Sequence, residues 1–410
     1  MRIEFSPAED HPNWDHPDRD DPDRPTESPL ISPAQRSRAV VAVVGAGVAG
    51  AATARALARR GVSVRWYESE PTLARHSSGR NAGLIRQAAS DPVIATLCRE
   101  GAAALRADGA PVRWSSSILL DPDDTISPEL RRAISAEAIS PASLEARFPW
   151  LCGARLAGAF VTPGDGIVDA PSLVERWRKE AIAAGAILQL GTPVTSPEGR
   201  GGRVESIRVA GEKIAIDALV VATGAWGAEW GEPAGVPIAL HRTHRSLLSG
   251  PFSAAGESAT DDLPWVWHLR EGWYVRPDGE GGLWSAGEEL SSTTIPAPRD
   301  PGAESRLHRV GEEHLPALTW GPVHWRSTGH RTFLPDRRFL LGEDPRCRGW
   351  HWVVGLGGHG VTSALAVAER VAAGLVEGKP IEPELQFRPA VLPGASVAAP
   401  VSRGSSEAVR

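Results

Sequence analysis

Gly45-Ala46-Gly47-Val48-Ala49-Gly50 follows the apolar run Val40–Val44 and leads into a stretch of small residues, and Glu68 lies 18 residues beyond Gly50. That spacing suits a dinucleotide. Gly45 permits a tight turn, Gly47 lets the backbone approach a pyrophosphate, and Gly50 lets a helix close against a strand. Val48 and Ala49 open that helix, whose free N–H groups and positive dipole end face phosphate oxygens. Glu68 is placed to accept hydrogen bonds from an adenosine ribose. A carboxylate there, rather than an arginine, disfavours a 2′-phosphate and hence NADP.

Two further segments have the composition of ligand loops. Arg75-His76-Ser77-Ser78-Gly79-Arg80-Asn81-Ala82-Gly83 holds too many consecutive small and hydrogen-bonding residues for a spacer. Gly355-Leu356-Gly357-Gly358-His359-Gly360-Val361-Thr362 runs into an alanine-rich helix. Glycines before a helix leave backbone N–H groups pointing outward beside the positive end of the dipole.

The elements that must position these loops are legible. Val40–Val44 is apolar and β-branched, as a parallel strand buried on both faces should be. Ala51 to Arg60 reads as a helix ended by Gly61, and Val62–Tyr67 as the next strand. Asp262 to His268, a short turn, and Gly272 to Asp278 read as a hairpin followed by another strand. Alternation places Trp265 and Trp267 on one face, where they would line the wall of a cavity.

Composition bounds the classes. The chain has 410 residues, a net charge of −6 and three cysteines (Cys98, Cys152, Cys347) without a CxxC pair. No apolar run is long enough to span a bilayer, no basic excess points to nucleic acid, and neither a metal site nor a disulfide framework is expected. A cytoplasmic setting fits the cysteine usage. Residues 1–38, with many prolines and acids and no repeating apolar face, read as a disordered tail, and residues 388–410 as a second short one.

Taken together and in order, these motifs resemble the D-amino-acid-oxidase superfamily of FAD-dependent amine oxidoreductases, in a pattern closest to its D-arginine dehydrogenase-like members. The resemblance runs from about residue 39 to 380. It implies FAD as the cofactor, wrapped by Ser77 to Gly83, met at the adenine by Val194, covered by the turn at Gly224 and Trp226, and approached by Gly357, Gly358, His359, Gly360, Val361 and Thr362. It implies that Arg331, in Gly329-His330-Arg331, clamps a substrate carboxylate, that the Tyr274 hydroxyl closes the site, and that Arg245 adds a second cation. His76 and Thr362 match pocket positions, and His76 is the candidate to take up the amine proton. Trp265 and Trp267 replace smaller side chains, which argues against arginine-like substrates. The absence of a cysteine near Arg331 points to dissociable FAD, with a histidine linkage left open.

The expected architecture is α/β: a Rossmann-like FAD-binding domain built from discontinuous segments (39–100, 154–230 and 330–387) plus an antiparallel-sheet substrate domain (101–153 and 231–329). The expected reaction is hydride transfer from the α-carbon of an amino acid or related amine to flavin N5, giving an imine that hydrolyses to a 2-oxo acid. The electron acceptor (oxygen, a quinone or another) is not encoded. A 2-hydroxy-acid dehydrogenase on the same fold, or a non-catalytic flavoprotein, are the alternatives.

Overall fold

The computed structural model describes residues 30–32, 35, 38–154, 156–254, 263–278 and 281–395. It is a mixed α/β structure whose described strands form two large sheets and one small one. Val40–Val44 is central to the first sheet, paired in parallel with Ser63–Tyr67 on one side and Ala218–Val221 on the other. Ile187–Gln189 extends one edge and Cys347–Val354 the other. The first strand is buried on both faces because helices cover one side and the group around Trp230, Trp350 and Trp352 covers the other.

Small residues let the helices approach closely. Ala51, Ala52 and Ala54 of the helix Val48–Ala58 share a core with Ala364, Val367 and Ala368 of the helix Gly360–Glu377. At the turn between first strand and first helix, Gly45 adopts φ +104°, and a side chain there would sit 2.5 Å from the Ala222 carbonyl. A methyl on Gly50 would overlap the Gly45 carbonyl oxygen.

The second sheet is built around the long strand His241–Ala254, antiparallel to Trp325–Phe333 and to Gly281–Ser285. Trp265–His268 and Tyr274–Asp278 form the expected hairpin beside it. Its two faces have different tasks. Val266, Trp273, Val275, Trp284 and Leu248 face the helix Ala303–His314 and form one core. Trp265, Trp267, Tyr274, Leu247 and Leu283 form another on the opposite face.

Several boundaries differ from the composition-based expectation. Ala159–Thr162 pairs with Ser117–Leu120 in the second sheet, and Trp325–Phe333 belongs there throughout. Ala102 and Leu105 pack into the nucleotide-side core, because the helix Pro92–Ala107 continues past residue 100. Both presumed tails are partly structured. Ile31 is 1% exposed and donates its N–H to Leu375 O at 3.4 Å. Val391 is fully buried and its carbonyl accepts from Ala239 N at 2.8 Å. Isolated apolar residues in a polar context thus anchor both ends, a signal that average composition hides. Residues 1–29 and 396–410 lie outside the described residues.

Two outcomes follow from this packing. Gly50→Ala should destabilise the protein by about 2–3 kcal/mol and lower the flavin retained on gel filtration; a urea midpoint and stoichiometry like those of the unchanged protein would show that the turn has room. Secondly, His244, His330 and His351 are held below the ordinary imidazole pKa chiefly by burial, and burial with the nearby His314 and Arg270 pushes His268 down to about 4 despite Glu271. The unfolded chain protonates these rings near pH 6.5, so their contribution is complete above that pH and is lost as pH falls towards 4. Asp165 opposes this trend, since burial raises its carboxyl to about 6. With these four histidines and His359, which burial likewise holds well below the ordinary range, against one carboxyl, stability by urea titration should fall by about 2 kcal/mol or more between pH 7.5 and 5.

Candidate active site

A cavity of about 430 Å³ runs between the two sheets, from Glu68 and Val194 at one end to Arg245, Tyr274 and Arg331 at the other. At the first end Glu68 accepts from Ala46 N at 2.7 Å through one carboxylate oxygen and from Glu70 N at 2.9 Å through the other. Ser78 Oγ accepts the Val48 N–H at 3.0 Å, and a side chain on Gly47 would come within 2.7 Å of that hydroxyl. Ser77 and Ser78 form a short 3-10 turn with Gly79, where a methyl would overlap the Ala74 carbonyl. Asn81 staples the loop: its Nδ2 donates to Ser77 O and Ser78 O at 3.2 and 2.6 Å, and its Oδ1 accepts from Gly83 N at 2.8 Å. Arg80 and Ala82 line the cavity beside them.

The residues fit a dinucleotide with a flavin ring. Gly224 lines the cavity with φ +55°, and a methyl there would enter open space with nothing within 4 Å. On the far wall Gly355, Gly357 and Gly358 all take positive φ, so this loop presents backbone rather than side chains. Gly360 and Val361 begin the last helix with its positive end towards the cavity. Val194 and Trp226 complete the lining.

Sheet register builds the second end. Thr243 pairs with Arg331 and Arg245 with Gly329, so Arg331 and Arg245 are diagonal neighbours on one face. Trp267 pairs with Tyr274, which puts the tyrosine on the same floor. Among the described residues the Arg331 side chain has one polar partner, Glu289 at 3.4 Å, which leaves most of its fork free. Burial alone would raise the Glu289 carboxyl, but Arg331, Arg245 and Arg337 together hold it below its ordinary value. Burial raises the Tyr274 phenol, so it is a hydroxyl donor at neutral pH.

Other candidates are placed differently from the sequence-based expectation. Arg245 spends its fork on the carbonyls of Glu288, Gly272 and Gly287 at 3.1, 3.0 and 2.8 Å and meets Glu289 at 3.5 Å. It therefore holds the turns beneath the floor and contributes charge more than free donors. Burial and Arg331 lower it to about 9. His76 pairs with Glu70 at 3.0 Å and lies against Trp226 with ring centroids 4.6 Å apart, so its partners belong to the nucleotide end. Trp265 and Trp267 share a face as alternation requires, yet neither lines the cavity: the Arg86 guanidinium covers Trp267 at 3.6 Å from the ring centroid. Thr362 Oγ1 accepts from Arg86 N at 3.0 Å and so fixes this same arginine's backbone.

Arg86, Glu289 and Arg337 were not legible as site residues. A charge ending the short strand Leu84–Ile85 was the available signal for Arg86. Glu289 has none, since its role comes from contacts with Arg245 and Arg331, 44 and 42 residues away. A second polar group, His268, Glu271 and His314, brings its ligand-type atoms within 4.8 Å of one another beside Trp273. No metal was expected here, and His268 Nδ1 accepts the Glu271 N–H at 3.2 Å, which leaves the ring's proton on Nε2.

Comparison with known proteins agrees with this geometry. Residues 41–373 match the DAO family, described as FAD dependent oxidoreductase. The tRNA 5-methylaminomethyl-2-thiouridine biosynthesis bifunctional protein MnmC of Polaromonas naphthalenivorans (strain CJ2) is 28% identical over 404 residues, covering 88% of this chain and 60% of that protein. Mitochondrial sarcosine dehydrogenase of Mus musculus is 22% identical over 379 residues, covering 84% and 40%. The chain thus spans 60% or less of the length of these relatives. Among solved structures, L-proline dehydrogenase from P. horikoshii superposes with a TM-score of 0.75 at 21% identity, covering 84% of this chain and 95% of that one. Glycine oxidase from Geobacillus kaustophilus gives 0.69 at 23%, covering 84% and 96%. Among the described residues no helix is long and apolar enough to cross a membrane. With a family match over most of its length, and a glycine-walled dinucleotide trough facing a cationic floor, the chain belongs to the DAO family of FAD-dependent oxidoreductases.

Proposed function

We infer that the protein oxidises the carbon–nitrogen bond of an amino acid or a related amine that carries a carboxylate. The observation behind this reading is Arg331: a guanidinium fixed on the sheet floor, partnered among the described residues by Glu289 alone, opposite a loop of bare backbone. A planar fork with free donors matches the two oxygens of a carboxylate. The Tyr274 hydroxyl on the same floor supplies a further donor. Anchoring the carboxylate holds the α-carbon at one position in the cavity, and positioning of this kind supplies much of the rate in such reactions. FAD, when bound, supplies the two-electron acceptor for the α-hydrogen, which departs as hydride while the nitrogen loses its proton. The resulting imine takes up water and splits into a 2-oxo acid and ammonia, or the corresponding amine where the nitrogen is substituted.

The amine must be neutral for this to occur, and the walls favour that state. Arg86, Arg245 and Arg331 line this end of the cavity, with Glu289 behind them. Such a field disfavours an ammonium ion, so the proton is released without an adjacent imidazole. His76, tied to Glu70, is then a support for the nucleotide end.

A second reading, oxidation of an amine carried on a larger molecule, is favoured by the relatives whose names specify modified-uridine biosynthesis. Anaerobic bleaching of the flavin band at about 450 nm with D-, L- and N-methyl amino acids separates the two. Arg331→Ala should raise KM for the best amino acid roughly 100-fold or more while the protein stays yellow. Unaltered kinetics would dismiss the carboxylate clamp.

A further inference from the structure

Arg86 has a guanidinium that the mechanism above leaves without a counterion. The Trp267 ring centroid lies 3.6 Å from its Cζ, and one terminal nitrogen is 3.1 Å from both ring nitrogens of His359. Among the described residues no carboxylate pairs with it. The nearest acid that influences it, Asp165, is spent on Ser117 Oγ at 2.6 Å and Gln87 N at 3.0 Å. Holding an unpaired cation in a buried wall is unfavourable, and burial with the neighbouring Arg331 lowers it to about 10.

The two free guanidinia are neighbours. Arg331 Nε lies 2.8 Å from where a Cβ on Gly358 would be, and Arg86 rests on His359, the next residue. Arg245, Arg331 and Arg337 share Glu289, Glu288 also acts on Arg245, and the Arg306 beside Glu288 is paired with Asp300. Of the guanidinia at this end of the cavity, Arg86 has no carboxylate partner among the described residues. A substrate whose single carboxylate sits on Arg331 leaves Arg86 uncompensated.

We propose that the substrate carries a second carboxylate, on its side chain or its nitrogen substituent, which Arg86 binds beside the Arg331 clamp. This rests on the amino-acid reading and narrows it to amino dicarboxylates. Arg86 suits the role because it lines the cavity near Arg331 and its guanidinium is held against the Trp267 ring.

The holoprotein, tested with both stereoisomers, should oxidise glutamate or aspartate with kcat/KM roughly 30-fold above that for glutamine or asparagine, as one charge-assisted fork would give. Arg86→Met should bring that ratio close to one. Independently of turnover, succinate or glutarate should perturb the flavin spectrum at concentrations roughly 30-fold below those of propionate or butyrate, and Arg86→Met should abolish the difference. If Arg86→Met does not retain flavin, Arg86→Gln repeats both measurements with a side chain that keeps a hydrogen-bond donor. No preference for two carboxylates in the unchanged protein, or one that survives in both variants, would overturn the proposal. So would an equal loss for mono- and dicarboxylates with a shifted flavin potential, which would mean that Arg86 balances charge on the cofactor instead. If no amino acid bleaches the flavin but glutarate still binds through Arg86, the dicarboxylate subsite stands and the amino-acid reading falls.

Discussion

The strand Trp325–Phe333 is fastened to the glycine loop of the other sheet by its backbone, through a Gly357 N–H donated to Thr332 O at 3.0 Å. One residue further along that loop, Gly358 has no side chain where Arg331 passes, and a Cβ there would lie 2.8 Å from Nε. On the opposite side of the strand's end, Gly329 abuts the Arg80 carbonyl. The substrate floor is thus seamed to both cofactor loops within three residues. The two sheets cannot slide relative to each other without breaking these contacts, so the distance between guanidinium and cofactor trough is set by main chain rather than by flexible side chains. That is the condition under which positioning contributes to rate.

The same seam explains why so much positive charge can be gathered there. Glu289 touches Arg245, Arg331 and Arg337 and serves as their common counterion. Arg245 keeps its charge because three carbonyls replace the water it has lost. Arg86 is flanked by an indole face, a favourable partner for a cation. Of the three guanidinia at this end of the cavity, Arg331 and Arg86 keep donors for a ligand, whereas those of Arg245 are spent on carbonyls. Arginine suits this arrangement better than lysine, since its charge survives desolvation and its plane can be fixed by stacking.

The nucleotide end was readable because it depends on local chemistry. Gly45, Gly47 and Gly50 are required by close approaches within a few residues, and the strand before them and the acid after them are consecutive in the chain. The parallel sheet was equally visible in Val40–Val44 and Val62–Tyr67. The substrate end depends on register, which pairs Thr243 with Arg331 across 88 residues, and no local pattern encodes that. Alternation correctly put Trp265 and Trp267 on one face but could not show Arg86 lying over Trp267. Motif position likewise singled out Arg245 without revealing that nearby carbonyls occupy it. His76 is the sequence's candidate to take up the amine proton, and its partner Glu70 looks in sequence like one more exposed acid. Ile31 and Val391 were lost in the average polarity of their segments.

His359 shows how the site separates charge from titration. Burial, then Arg86, Arg331 and Arg337, push its imidazole well below the ordinary range, so it is neutral at physiological pH and adds nothing to the crowd of cations. A neutral ring can accept from Arg86, which a protonated one could not. Cys98, 3.5 Å away, is likewise silent, with burial raising its thiol to about 12. The charged groups that remain are guanidinia, lowered no further than about 9 for Arg245 and about 10 for Arg86, and Glu289, which is ionised throughout the neutral range. Above about pH 7, where the Asp165 carboxyl that burial raises to about 6 is ionised as well, the floor therefore keeps one charge state while the α-amine of a substrate changes its own. The pH dependence of turnover in that interval reports the substrate amine in the field of the cavity, and a floor of arginines rather than histidines is what makes the two separable.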